Sequence, residues 1–271
     1  MLEHLLEQFL QHRDRKALAR LLTLVARGEC VEEIEGWLAN RIETLEDDES
    51  SSGVLLDQPQ PCHEPPRVVA ITGSGGVGKS TLIGKLIERL RQQSQSVAVL
   101  ACDPQSSITG GALLGDRIRM SSQPDDVGVF IRSVAVPSGN ESIAPNIAVM
   151  IALLARYGFG TVILETAGAG QGDTRVRQVA DVVVVLVQPE MGDELQWEKA
   201  GLLEVADIVV VHKADLPAAE QVETQLRGML SLPGCRAVPV LRVSSSKGFG
   251  VGELWHAIEA APLKGYGAAP T

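Results

Sequence analysis

The stretch from Arg67 to Leu86, RVVAITGSGGVGKSTLIGKL, carries the pattern that decides the fold. A β-branched apolar run, Val68 to Ile71, is followed by a glycine-rich loop and then by apolar residues at helical spacing. The loop matches the phosphate-binding pattern G-x-x-x-x-G-K-[ST] in the strand–loop–helix context that this pattern requires. Glycines let consecutive backbone N–H groups surround an anion, and the helix adds the positive end of its dipole. The stretch therefore predicts a site for the phosphates of a nucleotide.

The residue types in this loop indicate separate roles. Lys79 is expected to reach the β- and γ-phosphates, and the hydroxyl of Ser80 is expected to bind Mg²⁺. An ordinary glycine turn before a helix is the alternative, but the strand and the Lys-Ser pair argue against it. The residues expected to contact the nucleotide here are Gly73, Ser74, Gly75, Gly76, Val77, Gly78, Lys79, Ser80 and Thr81.

The composition indicates a globular cytoplasmic protein. Its 271 residues suffice for one large α/β domain with a small attachment. Acidic residues outnumber basic ones, 34 to 24, and no basic stripe is present, so we expect neither nucleic acid nor a membrane as a partner. No signal peptide or membrane-spanning run is evident. The cysteines lack metal-binding spacing and are expected to be reduced; they are Cys30, Cys62, Cys102 and Cys235.

Apolar stripes and changes in composition divide the chain into four predicted segments. Three amphipathic stripes predict helices in an N-terminal extension, residues 1–46, with Asp14 as a candidate N-cap. We expect this extension to pack on the main domain, although a docking surface for another protein is the alternative. Acidic, Ser and Pro residues indicate a linker over residues 47–66. An α/β domain is predicted over residues 67–262, followed by a tail over residues 263–271.

Short apolar runs in the main domain predict strands, separated by helical patterns. Most runs are continuous, which is typical of strands buried on both faces of a parallel sheet. The expected architecture is a doubly wound, mainly parallel α/β sheet that binds its ligand at the carboxyl ends of the strands. After the first strand, the predicted strands are Ser96–Cys102, Val127–Val134, Thr161–Leu164, Asp181–Val187, Asp207–Val211 and Ala237–Val243. The predicted helices are Ser80–Gln92, Ile143–Tyr157, Leu195–Leu203, Ala218–Leu230 and Val251–Ala261.

Acidic residues follow two of the predicted strands. Asp103 follows the second strand, and Glu165 ends another strand three residues before Gly168. A carboxylate at a strand tip can hold Mg²⁺ directly or through water, and the glycine N–H can contact the γ-phosphate. A helix cap or turn is the alternative for either acid alone, but two acids near a phosphate loop favour a functional role. Asp116, in a Gly-Asp-Arg run, is a further Mg²⁺ candidate for which a simple turn stays open.

The segment His212-Lys213-Ala214-Asp215 resembles the guanine-reading element N-K-x-D. The carboxylate of Asp215 can accept from N1–H and from the 2-amino group of guanine, and adenine lacks this pair of donors. Lys213 would lay its alkyl stem along the base. His212 stands in the place of Asn, where an imidazole can either replace hydrogen bonds or provide a stacking surface. A loop after the last strand is expected to contact guanine through Ser244, Ser245 and Ser246.

Taken together, these residues resemble the MeaB/ArgK-type P-loop GTPases. That family comprises chaperones of adenosylcobalamin-dependent acyl-CoA mutases, within the wider group of metal-centre assembly GTPases. The matching stretches extend from about Ala17 to Ile258, most of the chain. The specific stretches are DPQSSITGGALLGDRIRM, from Asp103 to Met120, and GDELQ, from Gly192 to Gln196. A phosphate-binding loop alone would indicate only the superfamily.

The resemblance implies ligands and a partner. It implies GTP and GDP as ligands, Mg²⁺ as cofactor, and slow GTP hydrolysis that a methylmalonyl- or isobutyryl-CoA mutase stimulates. Hydrolysis would gate cobalamin loading and would protect or rescue the mutase. Many relatives continue into a C-terminal arm that builds a homodimer, and because this sequence ends at Thr271 a homodimer stays open. By position, Ser80, Asp103, Asp116 and Glu165 would surround Mg²⁺, and a mobile coupling loop would contain Asp193, Glu194, Gln196 and Lys199.

The predicted reaction is phosphoryl transfer to water. Lys79, Mg²⁺ and the loop amides would stabilise charge on the γ-phosphate oxygens, with Glu165 beside them. Gln171 could orient the water, but a purely polar role in a Gly-rich segment is an equal alternative. Three rival functions stay open: a nickel-insertion GTPase, a small-metabolite kinase and a nucleotide-dependent adaptor with little hydrolysis. The first should carry a His- or Cys-rich tract and the second an Arg-rich lid, and neither feature is evident.

Overall fold

The computed structural model describes residues 1–40, 65–104, 126–137, 142–167, 175–189, 203–232 and 236–264. Within these ranges the chain begins with the helices α1 (Leu2–Gln11), α2 (Arg15–Ala26) and α3 (Val31–Asn40). Strands and helices then alternate: β1 (Arg67–Gly73), α4 (Lys79–Gln92), β2 (Val97–Pro104), β3 (Val129–Val136), α5 (Ile147–Tyr157), β4 (Thr161–Glu165), α6 (Arg175–Val179), β5 (Val182–Val187), β6 (Ile208–His212), α7 (Ala219–Leu230), β7 (Val240–Val243) and α8 (Val251–Ala260). Across the same ranges, no helix has the length and apolar character needed to cross a membrane.

The strands form one parallel sheet in the order β3-β2-β4-β1-β5-β6-β7. Successive residues of a strand face opposite layers, so Val68 of β1 packs on one side and Val69 on the other. Helices α4 and α8 cover the second side, and the remaining long helices cover the first. Burial on both sides explains the continuous apolar runs. This arrangement confirms the predicted doubly wound, parallel α/β fold, with β1 near its centre.

Three predicted element boundaries are wrong because local backbone chemistry overrides the apolar pattern. Strand β3 starts later than predicted because Asp126 Oδ1 accepts from the N–H of Gly128 at 2.8 Å and closes a turn there. Strand β7 starts after Pro239, which has no N–H to donate to a neighbouring strand. Helix α5 starts after Asn146, whose φ of +56° is not helical. The predicted helix Leu195–Leu203 lies outside the described residues except at its last position.

The N-terminal helices pack on the sheet layer through apolar residues and arginines. Leu18 and Leu21 of α2 are fully buried in the cluster that contains β1, β2 and α5. The guanidinium of Arg13 donates to the carbonyl of Tyr157, whose hydroxyl donates back to the Arg13 carbonyl at 2.8 Å. Asp14 caps α2 as predicted, since its Oδ1 accepts from the N–H of Lys16 at 2.8 Å. Of the two alternatives for the apolar stripes, packing on the main domain is therefore confirmed.

Leu21→Ala tests whether the N-terminal helices unfold together with the sheet. We expect the free energy of unfolding to fall by about 2–5 kcal/mol, because the substitution opens a cavity in a packed core. Denaturant unfolding followed by circular dichroism should show one transition, shifted as a whole. A separate early loss of part of the helical signal would contradict a shared core. Arg20→Ala, an exposed change on the same helix, is the control and should alter the free energy by less than about 0.5 kcal/mol.

Candidate functional site

A cavity of about 480 Å³ lies at the carboxyl ends of β1, β2, β4 and β6. Parallel pairing brings these strand ends to one edge of the sheet, which is where ligands bind in doubly wound folds. Most of the predicted phosphate and Mg²⁺ residues that the structure describes line this cavity. The lining includes Gly75, Gly76, Gly78, Lys79, Ser80, Thr81, Cys102, Asp103, Glu165 and Lys213.

The loop between β1 and α4 is held in shape by a glycine, a buried valine and a lysine. Gly78 has a φ of +98°, and a Cβ at this position would lie 2.6 Å from the His212 ring, so only glycine fits. Val77 is fully buried and anchors the loop in the core. Lys79 Nζ donates to the carbonyl of Gly73 at 3.0 Å and to that of Ser74 at 3.3 Å. The ammonium group is thus held over the loop, beside the N-terminus of α4.

Two buried acids and one hydroxyl place oxygen atoms in the same cavity. Glu165 ends β4 between its neighbours Ile71 of β1 and Ala101 of β2, and Asp103 lies just beyond Ala101. Glu165 Oε1 accepts from Ser80 Oγ at 2.9 Å. Mg²⁺ commonly takes one or two carboxylates together with phosphate and water oxygens, so this donor set fits it. Within the described ranges, no group of three or more His, Cys, Asp or Glu side chains could hold a metal ion.

Some predicted site residues lie outside the described residues, and their roles stay predictions. These are Asp116, Gly168, Gln171, Asp193, Glu194, Gln196 and Lys199.

The predicted base-binding residues come together at the end of β6. Asp215 Oδ1 accepts from Ser244 Oγ at 2.5 Å, and Asp215 Oδ2 accepts from Ser246 Oγ at 3.4 Å. The hydrogen bond from the Ser244 hydroxyl is the main cause of the lowered pKa of Asp215. The exposed carboxyl is therefore ionised at neutral pH. The N–H of Ser244 donates to the carbonyl of Phe249 at 3.0 Å and closes the loop. Because each carboxylate oxygen has two lone pairs, Asp215 can still accept from a ligand.

His212 lies between the phosphate loop and the loop from Ser244 to Phe249, which is called the serine loop below. Only 3% of the His212 surface is exposed. Its Nδ1 lies 2.7 Å from the carbonyl oxygen of Val77, and its Nε2 lies 2.7 Å from Ser245 Oγ. A carbonyl only accepts, so Nδ1 must carry the hydrogen, and the neutral ring then accepts from the Ser245 hydroxyl. Burial lowers the pKa of His212 and favours this neutral form. Both ring nitrogens are therefore engaged within the protein, and the role of the imidazole toward a base stays a prediction.

Cys102 and Gln188 are among the residues at the site that were not predicted. Cys102 lines the cavity, and burial raises the pKa of its thiol to about 12, so the thiol is neutral at neutral pH. Gln188 follows β5, and its Oε1 accepts from Lys213 Nζ at 2.7 Å. The only sequence signal for Gln188 is a polar residue directly after an apolar strand.

His212→Asn tests the buried neutral ring through the pH dependence of stability. In the unfolded chain the histidine takes up a proton as the pH falls below about 6.5, whereas the folded ring stays neutral to lower pH. The stability that this ring contributes is thus fully present above that pH and is lost as the pH falls further. Between about pH 7.5 and about pH 5.5, we expect the Tm of the wild type to fall more than that of His212→Asn.

Thermal unfolding at a series of pH values provides the measurement. Parallel curves for the two proteins would contradict the assignment of a buried neutral histidine. The control is His4→Asn on the exposed face of α1, which should follow the wild type.

This chain is similar to known proteins over most of its length. The profile of the family described as methylmalonyl-CoA mutase-associated GTPase MeaB matches residues 38–264. A putative GTPase of Pyrococcus horikoshii is 39% identical over 266 residues, which are 95% of this chain and 77% of the relative. A fused isobutyryl-CoA mutase of Geobacillus kaustophilus is 34% identical over 218 residues, which are 79% of this chain and 19% of that protein.

A solved structure of a LAO/AO transport system kinase has a TM-score of 0.55 at 25% identity and covers 91% of this chain and 75% of that chain. The structural likeness extends over the parallel sheet and its helices. The family profile spans the phosphate loop, the acids at the strand ends and the predicted base-binding residues. The chain therefore belongs to the MeaB family of methylmalonyl-CoA mutase-associated GTPases.

Proposed function

We propose that this protein is a Mg²⁺-dependent GTPase that chaperones an adenosylcobalamin-dependent acyl-CoA mutase. Its hydrolysis cycle would gate cofactor loading and would protect or rescue the mutase. One observation carries the nucleotide part of the proposal. The phosphate loop, the Ser80–Glu165 pair and the Asp215 carboxylate lie along one edge of one sheet. The mutase part is supported by the fused isobutyryl-CoA mutases, in which a region similar to this chain is part of the mutase polypeptide.

The phosphate end of the site is built for a triphosphate. The Lys79 ammonium contacts two neutral carbonyls of its own loop, and anionic phosphate oxygens would be stronger acceptors for it. Ser80, Asp103 and Glu165 would hold Mg²⁺, which offsets negative charge on the phosphates. Lys79 and the loop N–H groups would stabilise the charge that develops on the γ-phosphate oxygens during transfer to water. Gln171 is proposed to orient that water.

The base end of the site favours guanine over adenine. The ionised Asp215 offers only acceptors, which match N1–H and the 2-amino group of guanine. His212 has both ring nitrogens engaged by Val77 and Ser245, so we assign the base selectivity to Asp215 rather than to the histidine. The stem of Lys213 would lie along the face of the base, and Ser244, Ser245 and Ser246 would flank its edge.

Lys79→Ala tests the phosphate site. We expect the Kd for a non-hydrolysable GTP analogue with Mg²⁺ to rise on the order of a hundredfold, because a charge-assisted contact to the phosphates is lost. Isothermal titration calorimetry measures the affinity, and thermal unfolding without nucleotide shows that the variant is folded. The matched control is Lys85→Ala. Lys85 lies further along α4, and its Nζ forms an ion pair with Glu88 at 2.8 Å. A Lys79→Ala variant that hydrolyses GTP normally would overturn the assignment of the site.

Single-turnover GTP hydrolysis tests the link to a mutase. The rate should rise at least about tenfold when methylmalonyl-CoA mutase or isobutyryl-CoA mutase is added, because the partner would complete the hydrolytic site. Carbonic anhydrase or another unrelated protein at the same concentration is the control. Tight GTP binding with a slow rate that neither mutase changes would contradict the proposal and indicate a nucleotide-dependent adaptor.

A further inference from the structure

Gln188 is a half-buried polar residue at the junction between the two halves of the nucleotide site. It directly follows β5, the strand between β1 and β6. On one side, Leu186 of β5 pairs with Gly73 of the phosphate loop, and on the other, Val187 pairs with Val211 of β6. The residue after Val187 therefore lies beside the start of the His212–Asp215 segment. None of the motifs described above includes Gln188.

The partner of Gln188 is Lys213, whose ammonium donates to Gln188 Oε1 at 2.7 Å. Lys213 has a φ of +54°, which is uncommon for a residue other than glycine and sets the direction in which its side chain leaves the backbone. Lys213 lines the same cavity as the phosphate-loop glycines. A lysine stem has many rotamers, and a hydrogen bond at its end restricts them before a ligand binds.

The amide of Gln188 suits this position better than a carboxylate would. It accepts the hydrogen bond as a neutral group and adds no negative charge beside the proposed phosphate site. A glutamate there would form an ion pair with Lys213 and would add a negative charge near the phosphates. The Gln188 contact thus restricts the lysine stem without adding a negative charge of its own.

We propose that Gln188 is a positioning residue for guanine nucleotide binding, which acts through Lys213 and does not touch the ligand. This inference rests on the proposed function. The position of the Lys213 stem decides how well the base packs on it, and the base is common to GDP and GTP. Loss of the Gln188 acceptor therefore lowers the binding affinity for GDP and for GTP by the same factor.

Gln188→Met removes the acceptor and keeps the length of the side chain. Calorimetric titration with Mg²⁺ should show the Kd for GDP and for a non-hydrolysable GTP analogue rising by the same factor, about 5- to 10-fold. Gln188→Glu should weaken the GTP analogue more than GDP, because the added charge opposes the additional phosphate. Gln225→Met, at an exposed position of α7, is the matched control and should bind like the wild type. Thermal unfolding without nucleotide verifies that each variant is folded.

A double-mutant cycle separates positioning from a merely structural role. In a Lys213→Met background, Gln188→Met should change neither Kd further, because the group that it positions is absent. Additive effects of the two substitutions would overturn the proposal, and so would a Gln188→Met variant with unchanged Kd values when the wild type binds GDP. A wild type that binds neither nucleotide, or binds ADP as tightly as GDP, would overturn the proposed function as well.

Discussion

The buried imidazole of His212 holds the two halves of the site together. It extends from the end of β6 to the phosphate loop through Val77 and to the serine loop through Ser245, with both heavy-atom distances at 2.7 Å. Its ring also occupies the space that a side chain at position 78 would need. The conformation of the phosphate loop thus depends on a neutral side chain from a strand two places away in the sheet. A charged or missing ring would loosen both loops together.

The parallel sheet explains why these groups meet. Its register places Glu165 between the ends of β1 and β2, so that the acid reaches Ser80 at the first turn of α4. Asp103, Asp215 and the serine loop lie at the same edge of the sheet, at or just after the ends of β2, β6 and β7. Helices on both faces bury the strands, and the N-terminal helices contribute to one of these layers through fully buried leucines. The predicted site residues on strand ends are thereby held by a closely packed core.

Most of the fold could be predicted because its signals are local. The strand, glycine loop and helix around Lys79 lie within one short stretch, and the acids at strand ends follow from the apolar runs before them. The partners of His212 could not be predicted, because Val77 and Ser245 lie 135 and 33 residues away in the chain. Gln188 was missed for the same reason, since only the pairing of β5 with β6 brings it to Lys213. The starts of β3 and α5 depended on the turn at Asp126 and on the left-handed backbone of Asn146, which apolar periodicity does not report.

His212 links the loop that contains Val77 to the loop that contains Ser245, and the family profile spans all three residues. A crystal structure of the protein with GDP and Mg²⁺ tests that link most directly. The account predicts the diphosphate in the loop from Gly73 to Ser80, the guanine edge within about 3.2 Å of the Asp215 carboxylate, and His212 still bonded to Val77 and Ser245. A guanine that lies away from Asp215, or a His212 ring that leaves Val77 to stack on the base, would contradict it.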